Sequence, residues 1–324
     1  MRTDGFPSAL YNHPAWIAWK EGLGWENLRT GLGFPVLLRS IGNGYAMAYA
    51  VPPGLEDSSH ILIQDAGAAL ERLSHRVLSF LPRAVAFIRW DLMAGPWRDS
   101  EGAVLDPRLQ ELRMNASTGM RRLRKSLVEH SDLETMIVDL RGGEEAILGR
   151  FDKRTRYSIG LAERRGTRVE RLGEEGLEVF YALYLETAKR QDRRLEDYVY
   201  FKELFRSARV WRLDLELYLA RRLGETVATA IIARCLDTAW YLFSASTKET
   251  RSSAGPSAIL AAALIDASGW GHASMDLMGV SPAGLDTHPL SKVTRFKAGF
   301  GGRRVSRAGA WDYVVKPAAY ARLP

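Results

Sequence analysis

A short order of elements that occurs twice is what most constrains the fold of this chain. In the second half, Leu215 to Arg221 is apolar-rich, Leu223-Gly224-Glu225 is a turn, and Thr226 to Cys235 is β-branched and apolar. Leu236-Asp237-Thr238 turns again before Ala239 to Ser246, so the segment predicts a three-stranded antiparallel meander. Pro256 then opens a helix at a position where its missing N–H costs nothing, and that helix runs through Ala267 to Gly269. A strand over Ser274 to Val280 follows. The first half repeats the plan with a Pro35 to Ala50 hairpin about Gly42-Asn43-Gly44, a helix over Ile61 to Phe80 and a strand over Ala84 to Trp90. Each copy runs into the same tripeptide, as Asp91-Leu92-Met93 and as Asp276-Leu277-Met278. A tripeptide alone is within chance; its recurrence at one point of one element order points to two copies of one fold. The expected class is α+β, with mixed, mostly antiparallel sheets in two tandem domains. The glycine pair of Arg141-Gly142-Gly143 suits the junction, giving domains 1–143 and 144–305, with 306–324 returning to pack on the first.

Bulk properties narrow the partners. The 324 residues are 46% hydrophobic, enough for a sizeable core, and carry a net charge of +7. That excess points to an anionic partner: nucleic acid, a phosphorylated substrate or a membrane surface. It concentrates in two segments expected to be helical, Thr118 to Glu129 and Ile147 to Arg165, for which a solvated basic face is the plainer alternative. The one cysteine, Cys235, excludes an intramolecular disulfide and, in an apolar run, is expected to be buried and inert. Six scattered histidines show no ligand spacing, so no metal is expected. Met1 to Pro7 lacks a basic region followed by an apolar run, and a cytoplasmic location is the expectation.

Near the end, Val293 to Gly302 reads as the last turns of a helix carrying Phe296 and Lys297, stopped by Gly299 and then by Gly301-Gly302. With 36 arginines against 9 lysines, a lysine beside an aromatic is a candidate for work that needs a compact, rotatable ammonium. A solvated lysine at a helix end is the alternative.

Meander, helix, strand and helix in that order are similar to the acetyltransferase superfamily, whose coenzyme A-binding members carry an R/Q-x-x-G-x-G/A phosphate loop. That string occurs as Arg39-Ser40-Ile41-Gly42-Asn43-Gly44, but there it is first a hairpin turn. At the proper place, Arg251 to Pro256, one glycine remains and Pro256 removes a donor. Coenzyme A is disfavoured and no cofactor is expected.

A duplicated fold of this kind, without its phosphate loop and ending in Arg295-Phe296-Lys297, resembles the Fem family of aminoacyl-tRNA-dependent peptidoglycan ligases. Tyr11 to Lys20 is similar to its Q-S-x-x-W-x-x-x-K segment, Tyr49-Ala50 with Pro53-Gly54 to its Y-A-x-x-G-P stretch, and Arg89-Trp90-Asp91 to its R-x-D strand end. Lys153 to Ile159 resembles a basic K-x-R-x-x-I helix, and Thr187 to Arg190 with Tyr200-Phe201 a T-x-x-R…Y-F segment; Trp240-Tyr241, Asp276 to Gly279 and Phe296-Lys297 complete the series. The coiled-coil arm of some members has no counterpart, so the chain looks like the compact subclass. The resemblance implies transfer of an amino acid from aminoacyl-tRNA to the stem pentapeptide amine of a UDP-MurNAc-pentapeptide or of lipid II, in building the interpeptide bridge. It implies Lys20 on the precursor's phosphates, with Tyr200, Arg190 and Arg194 nearby, and Tyr241 lining the acceptor channel. It implies Phe296 under the terminal adenosine of the tRNA, with Lys297 against the ester. A monomer is expected, with room for peripheral membrane contact. Two positions depart from the pattern: Glu196 stands where compact members carry a phosphate-binding arginine, and Phe243 where they carry a second tyrosine.

Aminolysis of an activated ester needs stabilisation of charge developing on the carbonyl oxygen, which the Lys297 ammonium can supply. The attacking amine must lose a proton, which Asp91 could accept; it could equally orient the amine, or merely cap its strand. No Ser-His-Asp or Cys-His arrangement is legible, which disfavours an acyl-enzyme. Two other readings remain: an acyl-CoA-dependent N-acyltransferase of the same fold, and a non-catalytic tRNA-binding protein built on the basic segments.

Overall fold

The computed structural model describes residues 9–52, 55, 61–191, 195–248 and 253–322. They divide into two compact units, with the chain crossing between Leu133 and Glu134 and again between Val305 and Ser306.

The first unit opens with α1 (Ala9–Asn12) and α2 (Pro14–Gly22), the latter capped by the His13 ring and started by Pro14. Next come β1 (Glu26–Leu28), β2 (Val36–Gly42) and β3 (Tyr45–Ala50). Gly42, Asn43 and Gly44 all have positive φ, as the tight β2–β3 turn requires. The amphipathic α3 (Ile63–Leu78) buries Ile63, Ala66, Leu70, Ser74 and Val77 along one face. It returns the chain to β4 (Val85–Leu92), which lies parallel to β3 and is buried at every residue. α4 (Pro107–Met114) begins at the Asp106 cap, and β5 (Leu123–Lys125) ends this stretch.

The second unit contains β6 (Glu134–Asp139), α5 (Gly143–Arg150), α6 (Lys153–Arg164), β7 (Arg168–Leu172), α7 (Leu177–Gln191) and α8 (Tyr198–Trp211). The expected meander follows as β8 (Asp214–Arg222), β9 (Glu225–Cys235) and β10 (Thr238–Ser246). Then come α9 (Gly255–Gly269), β11 (Ser274–Gly279), α10 (Ser291–Ala298) and β12 (Arg303–Ser306). Its sheet runs β12-β6-β11-β10-β9-β8-β7, and the β10–β11 pair is parallel. The chain closes with β13 (Gly309–Val314), which enters the first sheet between β4 and β5, and α11 (Pro317–Tyr320).

The first sheet, β1-β2-β3-β4-β13-β5, therefore has the same heart as the second: a hairpin, a crossover helix, and a strand parallel to the hairpin's second arm. The α+β class with mixed, mostly antiparallel sheets is the one observed. β13 is locked to β4 by a buried bidentate pair, with Arg89 Nε and Nη2 each donating to Asp312 at 2.8 Å, and the Tyr320 hydroxyl donates to the same carboxylate at 2.8 Å.

Three expectations are corrected. The junction falls at Leu133/Glu134 rather than at residue 143, because β6 already belongs to the second sheet and the Gly142-Gly143 pair only starts α5, with Gly142 at φ 94°. Residues 118–129 are not helical: Arg121 has φ 49°, and Leu123 to Lys125 pair with Tyr313 to Trp311 of β13. That partner is far away in sequence and gives no local signal. Cys235 is half-buried rather than buried, with its thiol pKa raised by the burial it has.

Candidate functional site

Among the described residues, the expected site residues fall in a cluster in each unit. In the first, β4 delivers Asp91 into a fully buried position. Its Oδ2 accepts from the Tyr49 hydroxyl at 2.9 Å and from Ser131 Oγ at 2.6 Å. Its Oδ1 is buried and has no hydrogen-bond partner among the described residues. Burial raises the carboxyl's pKa, opposed by the bonds from Ser131 and Tyr49 and by the charge of Arg307. Burial and the facing carboxylate hold the Tyr49 phenol well above its ordinary pKa, so it stays a donor.

Tyr49 links this carboxylate to a cationic, aromatic neighbourhood. Its ring meets His130 at 4.9 Å and Trp25 at 5.7 Å, both edge-on. Lys20 Nζ, in the last turn of α2, lies 4.7 Å from the Trp19 ring and 5.9 Å from the Trp25 ring, and the Arg39 guanidinium sits 5.1 Å from Trp25. His130 is solvent-exposed at its surface, and its pKa is lowered, by desolvation first and then by the charges of Arg89, Lys20 and Arg39. It is therefore neutral at physiological pH. The arrangement offers cations for phosphate at one end and an unsatisfied carboxylate oxygen for an amine at the other.

The second unit's cluster surrounds Lys297. The residue sits in the last turn of α10 but is only 7% exposed, and its Nζ donates to the Gly279 carbonyl at 2.7 Å. The solvated-lysine alternative is thereby excluded. The glycines after it are there for close passage as much as for helix termination. A Cβ at Gly299 would lie 2.3 Å from Thr155 Oγ1, and Gly301, at φ +76°, would meet Arg150 at 2.7 Å. Phe296 is half-buried and packs edge-on against Phe300 at 5.3 Å, leaving part of its ring open. Gly279 is aimed by the residues before it. The buried Asp276 carboxylate accepts from the Met278 N–H at 2.7 Å and from the Thr135 hydroxyl, and Met278 adopts φ 63°, rare for a residue with a side chain.

The model of the family described as the FemAB family matches residues 132–221 and 222–323, together more than half of the chain. This chain belongs to the FemAB family. A lipid II:glycine glycyltransferase of Staphylococcus aureus is 34% identical over 87 residues, which cover 27% of this chain and 20% of that protein. The match thus spans about a fifth of that relative's length. Among solved structures, that of FemX superposes with a TM-score of 0.76 at 17% identity, covering 98% of this chain and 94% of the other. The structure of L-PGS from Bacillus licheniformis gives 0.54 at 11% identity, covering 94% and 93%. At these identities the structural likenesses establish the fold.

Within this FemAB-family chain, the structure sorts the expected residues. Lys20 and Asp91 fall in the first unit, where Tyr49 and the rings connect their neighbourhoods. Lys297 and Phe296 lie together at the end of α10 in the second. Arg190 ends α7 and donates to the Ser246 carbonyl at 2.9 Å, while Tyr200, on α8, meets Phe243 edge-on at 6.1 Å, so both reach the far half of β10. Burial and the nearby Glu196 raise the Tyr200 phenol's pKa. Arg194 lies outside the described residues. Tyr241, expected to line a channel, is instead a core residue at 4% exposure, its phenol pushed up to about 12 by burial. The reason is a bulge: Tyr241 pairs with Ile232 and Phe243 with Ile231, so the extra Leu242 sends positions 241 and 243 to opposite faces. Ser131, His130 and Arg307 were not singled out from the sequence, and Arg39 and Tyr49 stood in recognisable stretches without being given these roles. Ser131 is a loop residue 40 positions from its carboxylate.

Proposed function

We propose that this FemAB-family chain is an aminoacyltransferase that moves an amino acid from aminoacyl-tRNA onto the amine of a peptidoglycan stem peptide carried on a diphosphate. The observation that carries the reading is the gradient in the first unit, from Lys20 and Arg39 through Tyr49 to the unsatisfied Oδ1 of Asp91. An acceptor with phosphates at one end and an amine at the other matches it. Lys20 and Arg39 hold the phosphates. Asp91 receives or orients the amine through the oxygen that Tyr49 and Ser131 leave open.

Donor handling belongs to the second unit. The open part of the Phe296 ring supports the terminal adenosine, and Lys297 stabilises the oxyanion as the amine nitrogen bonds to the ester carbon and the ribose hydroxyl departs. Arg190 and Tyr200 flank the same unit's β10 and contribute to the precursor or donor contact. Coenzyme A is a poor donor here: α9 starts with Pro256 in its first turn, which removes an N–H that a pyrophosphate would need.

The test combines the protein with UDP-linked pentapeptide, total tRNA, synthetases and amino acids, and weighs the precursor. A mass gain equal to one or more amino acid residues, abolished by ribonuclease, is the expected result. Undiminished turnover after ribonuclease overturns the tRNA-dependent reading, and tRNA binding with no transfer would leave the RNA-binding alternative.

A further inference from the structure

The outer edge of the first unit is built from α4 and β5, which are tied together by their own polar groups. Asn115 donates to the Leu123 carbonyl at 2.8 Å and accepts from its N–H at 3.1 Å, and Arg124 pairs with Glu111 at 3.4 Å. On this edge large aliphatic side chains stand in solvent: Leu112 is 70% exposed, Met120 50%, Val128 56% and Leu127 95%. A leucine that open forgoes all the stabilisation that burial gives such a side chain. Between and beside them, Arg108, Arg113 and Arg121 are exposed and make no ion pair with any described residue. Of the nearby acids, Glu111 faces Arg124, Glu129 takes Lys125 and the Ala310 N–H, Glu71 accepts the Gly119 and Met120 N–H groups, and Asp106 caps α4 at the Arg108 N–H.

Aliphatic tips interleaved with arginines fit one kind of surface, an anionic lipid bilayer, where acyl chains accept the tips and headgroups the guanidinium groups. RNA shares the charge preference but would be met by exposed aromatic platforms, and the exposed large apolar residues between 104 and 133 are all aliphatic. We infer that the α4–β5 edge and the Leu127-Val128 loop dock the protein on anionic phospholipid. The loop that carries Leu127 and Val128 runs directly into His130 and Ser131, the latter bonded to Asp91. Seating the tip in the headgroup layer therefore brings His130, and with it the neighbouring Lys20 and Arg39 charges, toward the layer where a membrane-bound diphosphate lies. The docking stands independently of the aminoacyl-transfer reading.

The experiment is co-sedimentation of the full chain with phosphatidylcholine vesicles and with vesicles containing phosphatidylglycerol, alongside the double variant Leu127→Glu/Val128→Glu. Binding to the anionic vesicles that weakens with salt is expected, lowered at least about tenfold in the variant. Arg121→Glu should lose about fivefold or more without any change of apolar surface. Both variants should melt like the wild type and aminoacylate soluble UDP-linked pentapeptide at its rate, because none of these side chains touches the carboxylate cluster. Failure to bind anionic vesicles, equal binding by the double variant, or a loss of tRNA affinity in place of vesicle affinity would each overturn the proposal. Ribonuclease-resistant turnover would instead overturn the transfer reading and leave vesicle binding intact.

Discussion

Asp91 and Asp276 stand at the same point of the two copies, in the strand that runs parallel to the hairpin's second arm, followed in both by Leu-Met. Both carboxylates are buried, at 0% and 2% exposure, and both take a hydroxyl from a residue beyond their own strand. What differs is the rest of the shell. Asp276 spends an oxygen on the N–H two residues ahead, in the turn that gives Met278 its left-handed backbone and aims Gly279 at Lys297. Asp91 makes no such bond; Tyr49 and Ser131 share Oδ2 and leave Oδ1 unpartnered. One copy uses the carboxylate as a backbone brace; in the other, one carboxylate oxygen has no partner among the described residues. A buried polar atom left open is costly, which makes Asp91 Oδ1 the atom at which the two copies can be tested for different uses.

The comparison can be broken in order of expected effect. Asp91→Asn should reduce turnover by about a hundredfold or more if the carboxylate takes the amine's proton. Its effect on stability should have the opposite sign. Burial raises the Asp91 pKa, so the folded chain binds more protons than the unfolded one above the ordinary carboxylate value of about 3.9, and stability falls as pH rises through that window. Asparagine removes this loss, so the variant should melt above the wild type at neutral pH, and the gain should vanish as pH falls below about 4. A lower melting temperature at pH 7 would make Asp91 a brace like its counterpart.

In the second unit, Lys297→Met should lower kcat and kcat/KM together, by roughly a hundredfold, as loss of a preorganised charge at an oxyanion does. Wild-type kinetics in that variant would reduce the Gly279 contact to a structural bond. Lys20→Ala is expected to raise the acceptor's KM about ten- to a hundredfold with a smaller change in kcat, the value of one charge-assisted contact. An unchanged KM would remove the phosphates from the Trp19–Trp25 neighbourhood.

Asp276→Ala should show the brace by destabilising the protein by about 1–3 kcal/mol, since the Met278 N–H and the Thr135 hydroxyl lose their acceptor. Met278→Gly should then help more in that background than in the wild type, because glycine holds a positive φ without the carboxylate's support. Equal effects of Met278→Gly in both backgrounds, read from denaturant midpoints, would uncouple Asp276 from the turn.

Local chemistry made much of this fold readable. The β8–β9–β10 meander, the apolar stripe of α3 and the Pro256 start of α9 are decided by neighbours a few positions apart, through alternation, 3.6-residue periodicity and a fixed φ. Lys297 beside Phe296 and the recurring Asp-Leu-Met could be read from the sequence as well, though not how each side chain is used. What the tertiary structure decided are relations across long stretches of chain. Ser131 reaches Asp91 over 40 residues, Thr135 reaches Asp276 over 141, and β5 exists because β13 returns to pair with it. The bulge after Tyr241 exchanged the faces of two residues that alternation alone would place together. Bonds of this kind depend on which distant backbone closes beside a strand, and a side chain's own residue type is the same whether that partner arrives or not.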